Sequence, residues 1–227
     1  MNPRPGAPPG RPRAALIVAG VLGGFAVFGG HADAAVPQWF GFGVLAGSTR
    51  PDPALADYNW DVGGRASWSL TALAGAGRAG VGLRLSHWRT RQGTGIPGAG
   101  DGPVAGMTDV QLLVKARAFS VENLDVFTTA GIGRYHLAYS PDRMTVDPGG
   151  GLAPVTVAFD AVNDWSCSLG AGLEYPVVRG LVAGAEITRS VFMLDTAHRS
   201  GSEIVTSREA FGNWNLRLSL SWMVRKP

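Results

Sequence analysis

Eleven charged residues stand where they could meet inside a confined space: Asp61, Arg65, Arg84, Asp109, Lys115, Arg117, Arg134, Asp164, Glu174, Glu186 and Arg217. Six are basic and five acidic, so they can neutralise one another almost completely. Each lies in a segment where polar and apolar residues alternate, and each falls on the polar face. Charges so arranged could do two kinds of work. Paired, they would form a salt-bridge network that fills an interior, because buried charges need partners to offset desolvation. Left partly free, they would line a narrow or gated polar pore.

Other residues raise other chemistries. His87, His136 and Ser140 could serve a lipid-modifying hydrolase, which needs nucleophile, base and orienting acid within reach of one another. The alternation puts His136 on the polar face, with Tyr135 and Tyr139 opposite, and the local pattern His-Leu-Ala-Tyr-Ser does not match a deacylase motif. Gly75-Ala-Gly77-Arg-Ala-Gly80 matches the dinucleotide fingerprint, with Asp101 downstream. That reading needs a helix after the glycines. Val81, Leu83 and Leu85 alternate as a strand instead, so the glycines read as a turn. No His/Cys/Asp cluster has metal-ligand spacing, and no metal, cofactor or catalytic residue is assigned. Cys167, the single cysteine, excludes an internal disulfide and reads as a small apolar filler.

The elements that must position these groups are strands. In Asn59–Thr71, residues Trp60, Val62, Gly64, Ala66, Trp68 and Leu70 share one face, and Asp61, Arg65, Ser67 and Ser69 the other. A two-residue period is the mark of a strand. It recurs in Trp39–Gly47, Gly80–Thr90, Thr108–Phe119, Asp125–Tyr139, Ala158–Glu174, Leu181–Phe192 and Asn213–Met223. The gaps alternate in length. Ala72–Ala79, Ser120–Leu124 and Tyr175–Gly180 are short; Arg91–Met107, Ser140–Val157 and Met193–Gly212 are long. Eight such strands predict an all-β fold: an eight-stranded antiparallel up-and-down transmembrane β-barrel, short turns periplasmic and long loops outside.

Alternation alone does not say which face is inside, and a lipocalin has the opposite polarity. The tryptophans favour a membrane. Trp39, Trp60, Trp68, Trp165, Trp214 and Trp222 are predicted to form an aromatic girdle on the apolar face. Trp60 and Trp68 are eight residues apart, as are Trp214 and Trp222. Eight residues make about 26 Å of strand; tilted by about 40°, that spans about 20 Å, close to an apolar band of about 25 Å.

The first 34 residues read as a signal peptide: Arg4, Arg11 and Arg13, then the uncharged run Ala14–Gly30, then Ala32-Asp33-Ala34. Cleavage there would leave the barrel as residues 35–227, with 17 basic and 16 acidic residues. So balanced a chain offers nothing to nucleic acid.

Three stretches carry a family resemblance. Thr129-Ala-Gly-Ile-Gly-Arg-Tyr135, Gly170-Ala-Gly-Leu-Glu-Tyr175 and Gly184-Ala-Glu186 resemble the small outer-membrane β-barrel family of the OmpA/OmpX-type membrane domains. Leu216-x-Leu-x-Leu-x-Trp222 resembles the signal read by the barrel-assembly machinery, although Met223–Pro227 follow the aromatic residue. The resemblance implies Sec export, periplasmic chaperones, a place in the cell outer membrane with both termini periplasmic, contact with outer-membrane lipids, and an unknown extracellular ligand for the loops. It leaves three roles open: a structural or surface-interaction protein, a small pore, or an enzyme acting on lipid A.

Overall fold

The computed structural model describes residues 36–94, 101–147, 151, 153–200 and 203–225; the predicted leader lies outside them. Ten strands form. They are β1 (Trp39–Arg50), β2 (Arg65–Ala76), β3 (Ala79–Arg91), β4 (Val104–Val121), β5 (Leu124–Ser140), β6 (Arg143–Val146), β7 (Val155–Ala158), β8 (Val162–Val178), β9 (Leu181–Ser200) and β10 (Glu203–Arg225). Eight close into an antiparallel barrel in the order β1-β10-β9-β8-β5-β4-β3-β2, and β6 and β7 pair apart as a hairpin between β5 and β8.

The register fixes the tilt. Pairing runs from Arg50 through Trp214, Arg189, Leu169, Ala130, Val114, Val81 and Ala74 back to Phe40, ten residues down β1. A stagger of ten residues over eight strands tilts them by about 40°. The outer surface carries a belt of exposed apolar side chains, among them Phe42, Leu70, Leu83, Leu112, Ile132, Leu169, Ile187 and Leu218. Exposure of that much contiguous apolar surface suits hydrocarbon and not water.

Three predicted loops are shorter than the period suggested. Met193–Gly212 is strand almost throughout, because β9 and β10 rise together as a hairpin paired from Glu203↔Ser200 downward. Ser140–Val157 contains β6. Strand β4 begins at Val104. Above the membrane neither face of a hairpin meets lipid, so no apolar face marks it. The strand read from Asn59 begins at Arg65; a short 3-10 helix, Pro53–Tyr58, precedes it.

Candidate functional site: the filled lumen

The predicted charge network divides into separate tiers. In the middle of the barrel Arg84 donates to Glu186 Oε2 at 2.7 Å, from β3 across the lumen to β9. The other carboxylate oxygen accepts from Thr129 and Thr188, each at 2.9 Å. Three donors satisfy this buried carboxylate. Beside it Asp109 accepts from Ser166 at 2.6 Å and from Gln111 at 2.8 Å, and Gln111 accepts from Ser168 at 2.6 Å. Arg217 donates to Asn215 Oδ1 at 3.2 Å, and Thr49 donates to the same oxygen at 2.6 Å. Gly170 explains how so many groups fit: a Cβ there would lie 2.7 Å from the Thr129 hydroxyl and 2.8 Å from that of Thr188. A cavity of about 20 Å³ lies at the top of this tier, between Asp109 and Arg217 below and Tyr135 and Phe192 above, room for roughly one water.

At the short-turn end of the barrel Lys115 pairs with Glu174 and stands 4.1 Å over the Phe127 ring. Arg117 pairs with Asp125 at 3.2 Å. These residues line a vestibule of about 690 Å³ that also holds Trp39 and Arg78. At the opposite rim Asp61 pairs with Arg65, and Asp164 with Arg208, both pairs partly in solvent.

The upper lumen is dominated by apolar side chains. Leu55, Trp60, Trp88, Met107, Tyr135, Leu137, Phe192, Leu194 and Phe211 form a buried apolar layer above the charges. The 3-10 helix drops Leu55 and Tyr58 into it. Tyr58 meets Phe211 edge-on at 5.9 Å and donates to Glu209 at 2.9 Å. Asp52 anchors the helix: one carboxylate oxygen accepts from Ala54 N at 3.0 Å, the other from Gly212 N at 3.0 Å on β10.

This layer corrects several sequence assignments. Tyr135 faces the lumen, and Tyr139 packs against Trp60 beside the plug, whereas the alternation puts both on the outer apolar face; Leu137 and Phe127 face inward on the same side of β5 as Tyr135. Arg134 and His136 therefore face outward: Arg134 lies 5.8 Å from the Trp165 ring, and His136 Nδ1 donates to Asn163 at 2.8 Å. Trp60 leaves the girdle for the plug, where it meets Tyr139 at 6.4 Å. Trp39 turns inward too; a Cβ at Gly75 or Gly80 would lie 2.3 Å from its ring. Trp68, Trp165, Trp214 and Trp222 stay on the outer face. The girdle has an aromatic interior as its rival, and period alone does not separate the two.

His87, also outward, donates to Thr108 at 3.0 Å and accepts from Arg89 at 3.1 Å. Among the described residues no group of three His, Cys, Asp or Glu could hold a metal ion. Cys167 is half-buried on the outer face.

No protein-family model matches the chain, and no curated protein does. Solved structures are similar. Neisserial surface protein A is 8% identical, with 82% of this chain and 96% of that one covered and a TM-score of 0.51. The outer-membrane protein AlkL, determined in lipid bilayers, is 15% identical over 87% of this chain and 96% of its own, with a TM-score of 0.50. Sequences so far apart share architecture rather than chemistry. By fold, this chain is a closed eight-stranded antiparallel β-barrel, the architecture of the small outer-membrane barrels it resembles.

Proposed function

We propose that the protein is a closed outer-membrane barrel with a structural or surface-interaction role, non-catalytic, its long loops outside and both chain termini on the periplasmic side. Export as a precursor cleaved after Ala34, delivery by periplasmic chaperones and insertion by the barrel-assembly machinery belong to this reading. The observation that carries it is the filling of the lumen by two unlike layers, one ionic and one aromatic, with a cavity of about 20 Å³ where they meet. An eight-stranded barrel is narrow enough for side chains to close it, and binding then falls to the loops. The hydrolase reading is less well supported: His136 bonds Asn163, and His87 bonds Thr108 and Arg89, so in these contacts neither imidazole is oriented by a carboxylate.

The vestibule of about 690 Å³ supports one alternative, a pore gated by rearrangement of the Arg84–Glu186 pair. Refolded protein in a planar bilayer separates the two. We expect silence over many insertions. Reproducible single-channel steps would overturn the closed barrel.

A further inference from the structure

Four arginines, Arg50, Arg89, Arg134 and Arg189, face outward near the long-loop end. With the strands tilted by about 40°, they lie with Trp68, Trp165, Trp214, His87 and His136 in a band about 10 Å tall that circles the barrel. Each arginine has an aromatic or imidazole neighbour. Arg189 stands 5.2 Å over Trp214, and Trp214 pairs with Arg189 on one side and with Arg50 on the other. Arg134 stands over Trp165. Arg89 donates to His87, whose ring packs at 5.6 Å on Trp68. Gly212 makes room: a Cβ there would lie 2.7 Å from Arg189 Nη2.

Within this band the outward positions hold no aspartate or glutamate among the described residues. Asp195 stands above it on β9, and the pair Arg91–Asp101 lies above it too. Directly below come the apolar stripes of Leu169, Ile187 and Leu216. The collar is therefore cationic at the level where hydrocarbon gives way to headgroups, with tryptophan holding that level. Planar guanidinium forks beside aromatic faces match a phosphate group carried on an apolar tail.

We propose that this collar binds phosphate-bearing lipid headgroups of the outer leaflet, the acyl chains lying on the apolar stripes below. The proposal rests on the membrane orientation given above. The test is native mass spectrometry of the refolded full barrel in detergent micelles, titrated with diphosphoryl lipid A, monophosphoryl lipid A or phosphatidylcholine. Retention should fall in that order. The variant R50Q/R89Q/R134Q/R189Q should lose about tenfold in retained diphosphoryl lipid. The variant R78Q/R179Q, altered at the periplasmic turns, should not. Equal retention by the collar variant overturns the proposal, as does indifference to headgroup phosphate. Full displacement by excess inorganic phosphate would make this a site for the free anion and overturn the lipid. The barrel reading is checked separately by heat-modifiable migration on a gel: a shift retained while lipid selectivity is absent condemns only the collar.

Discussion

Replacing Glu186 with alanine is expected to cost about 3–5 kcal/mol of barrel stability, because it strands a buried cation. Arg84 has this carboxylate as its ion-pair partner at 2.7 Å, and its side chain is 4% exposed. Its Nε and Nη1 already have no hydrogen-bond acceptor in the protein. Without Glu186, Nη2 would join them, and the hydroxyls of Thr129 and Thr188 would lose their shared acceptor. Glu186→Gln keeps an acceptor for the two threonines and gives up the charge, so its cost should fall between wild type and alanine. The double replacement Arg84→Met with Glu186→Leu should recover most of the loss, since an apolar pair carries no desolvation penalty. The urea midpoint of refolded protein, read by tryptophan emission or by gel migration, measures all three. A loss under about 1 kcal/mol in Glu186→Ala would mean that Arg84 swings to Asp109, which lines the same cavity.

The lipid-facing strands were legible in the sequence because hydrocarbon imposes an apolar outer face for the whole membrane depth. Phe40, Phe42 and Val44 on β1, or Leu216, Leu218 and Leu220 on β10, admit one reading. The middle tier was legible for the same reason: Arg84, Asp109, Glu186 and Arg217 alternate with residues that face lipid. The aromatic plug was not. Above the hydrocarbon the polarity of the pattern reverses: Tyr135 and Leu137 lie inside while Arg134 and His136 lie outside. Period two reports that a strand has two faces, and a reversal partway up leaves the period intact. Trp60 was misassigned for another reason. It lies in the irregular stretch before β2 and follows the left-handed Asn59, so the parity counted back from Trp68 does not reach it. Arg134 joined the presumed network only because its strand was read with the wrong face inward. The ion pair Asp164–Arg208 could not be foreseen, since Arg208 lies in a hairpin that carries no apolar face.

The aromatic plug should be as costly to damage as the ion pair. Phe211→Ala is expected to destabilise the barrel by about 3–5 kcal/mol, from lost transfer energy plus the cavity it leaves. Phe211 is 1% exposed and lies between Tyr58, edge-on at 5.9 Å, and Phe192, tilted at 6.3 Å. The strands around it are held by ladder hydrogen bonds and cannot close in, so the cavity term persists. Leu216→Ala offers the contrast. That side chain is 62% exposed on the outer face, and lipid chains refill the space it leaves, so only a transfer term is lost. Urea midpoints of the two variants therefore test whether the upper lumen is packed like a core. If Phe211→Ala costs no more than Leu216→Ala, the layer is loose and the helix Pro53–Tyr58 is resting on it rather than locked into it. A locked helix makes a further demand: limited proteolysis should cut the Phe211→Ala chain between Asp52 and Tyr58 faster than wild type, because Tyr58 loses the ring it packs against while Asp52 keeps its bond to Gly212 N. Conductance should stay silent in the same variant. The Arg84–Glu186 tier lies below the plug on its own strands, so opening the upper layer leaves the lower one shut.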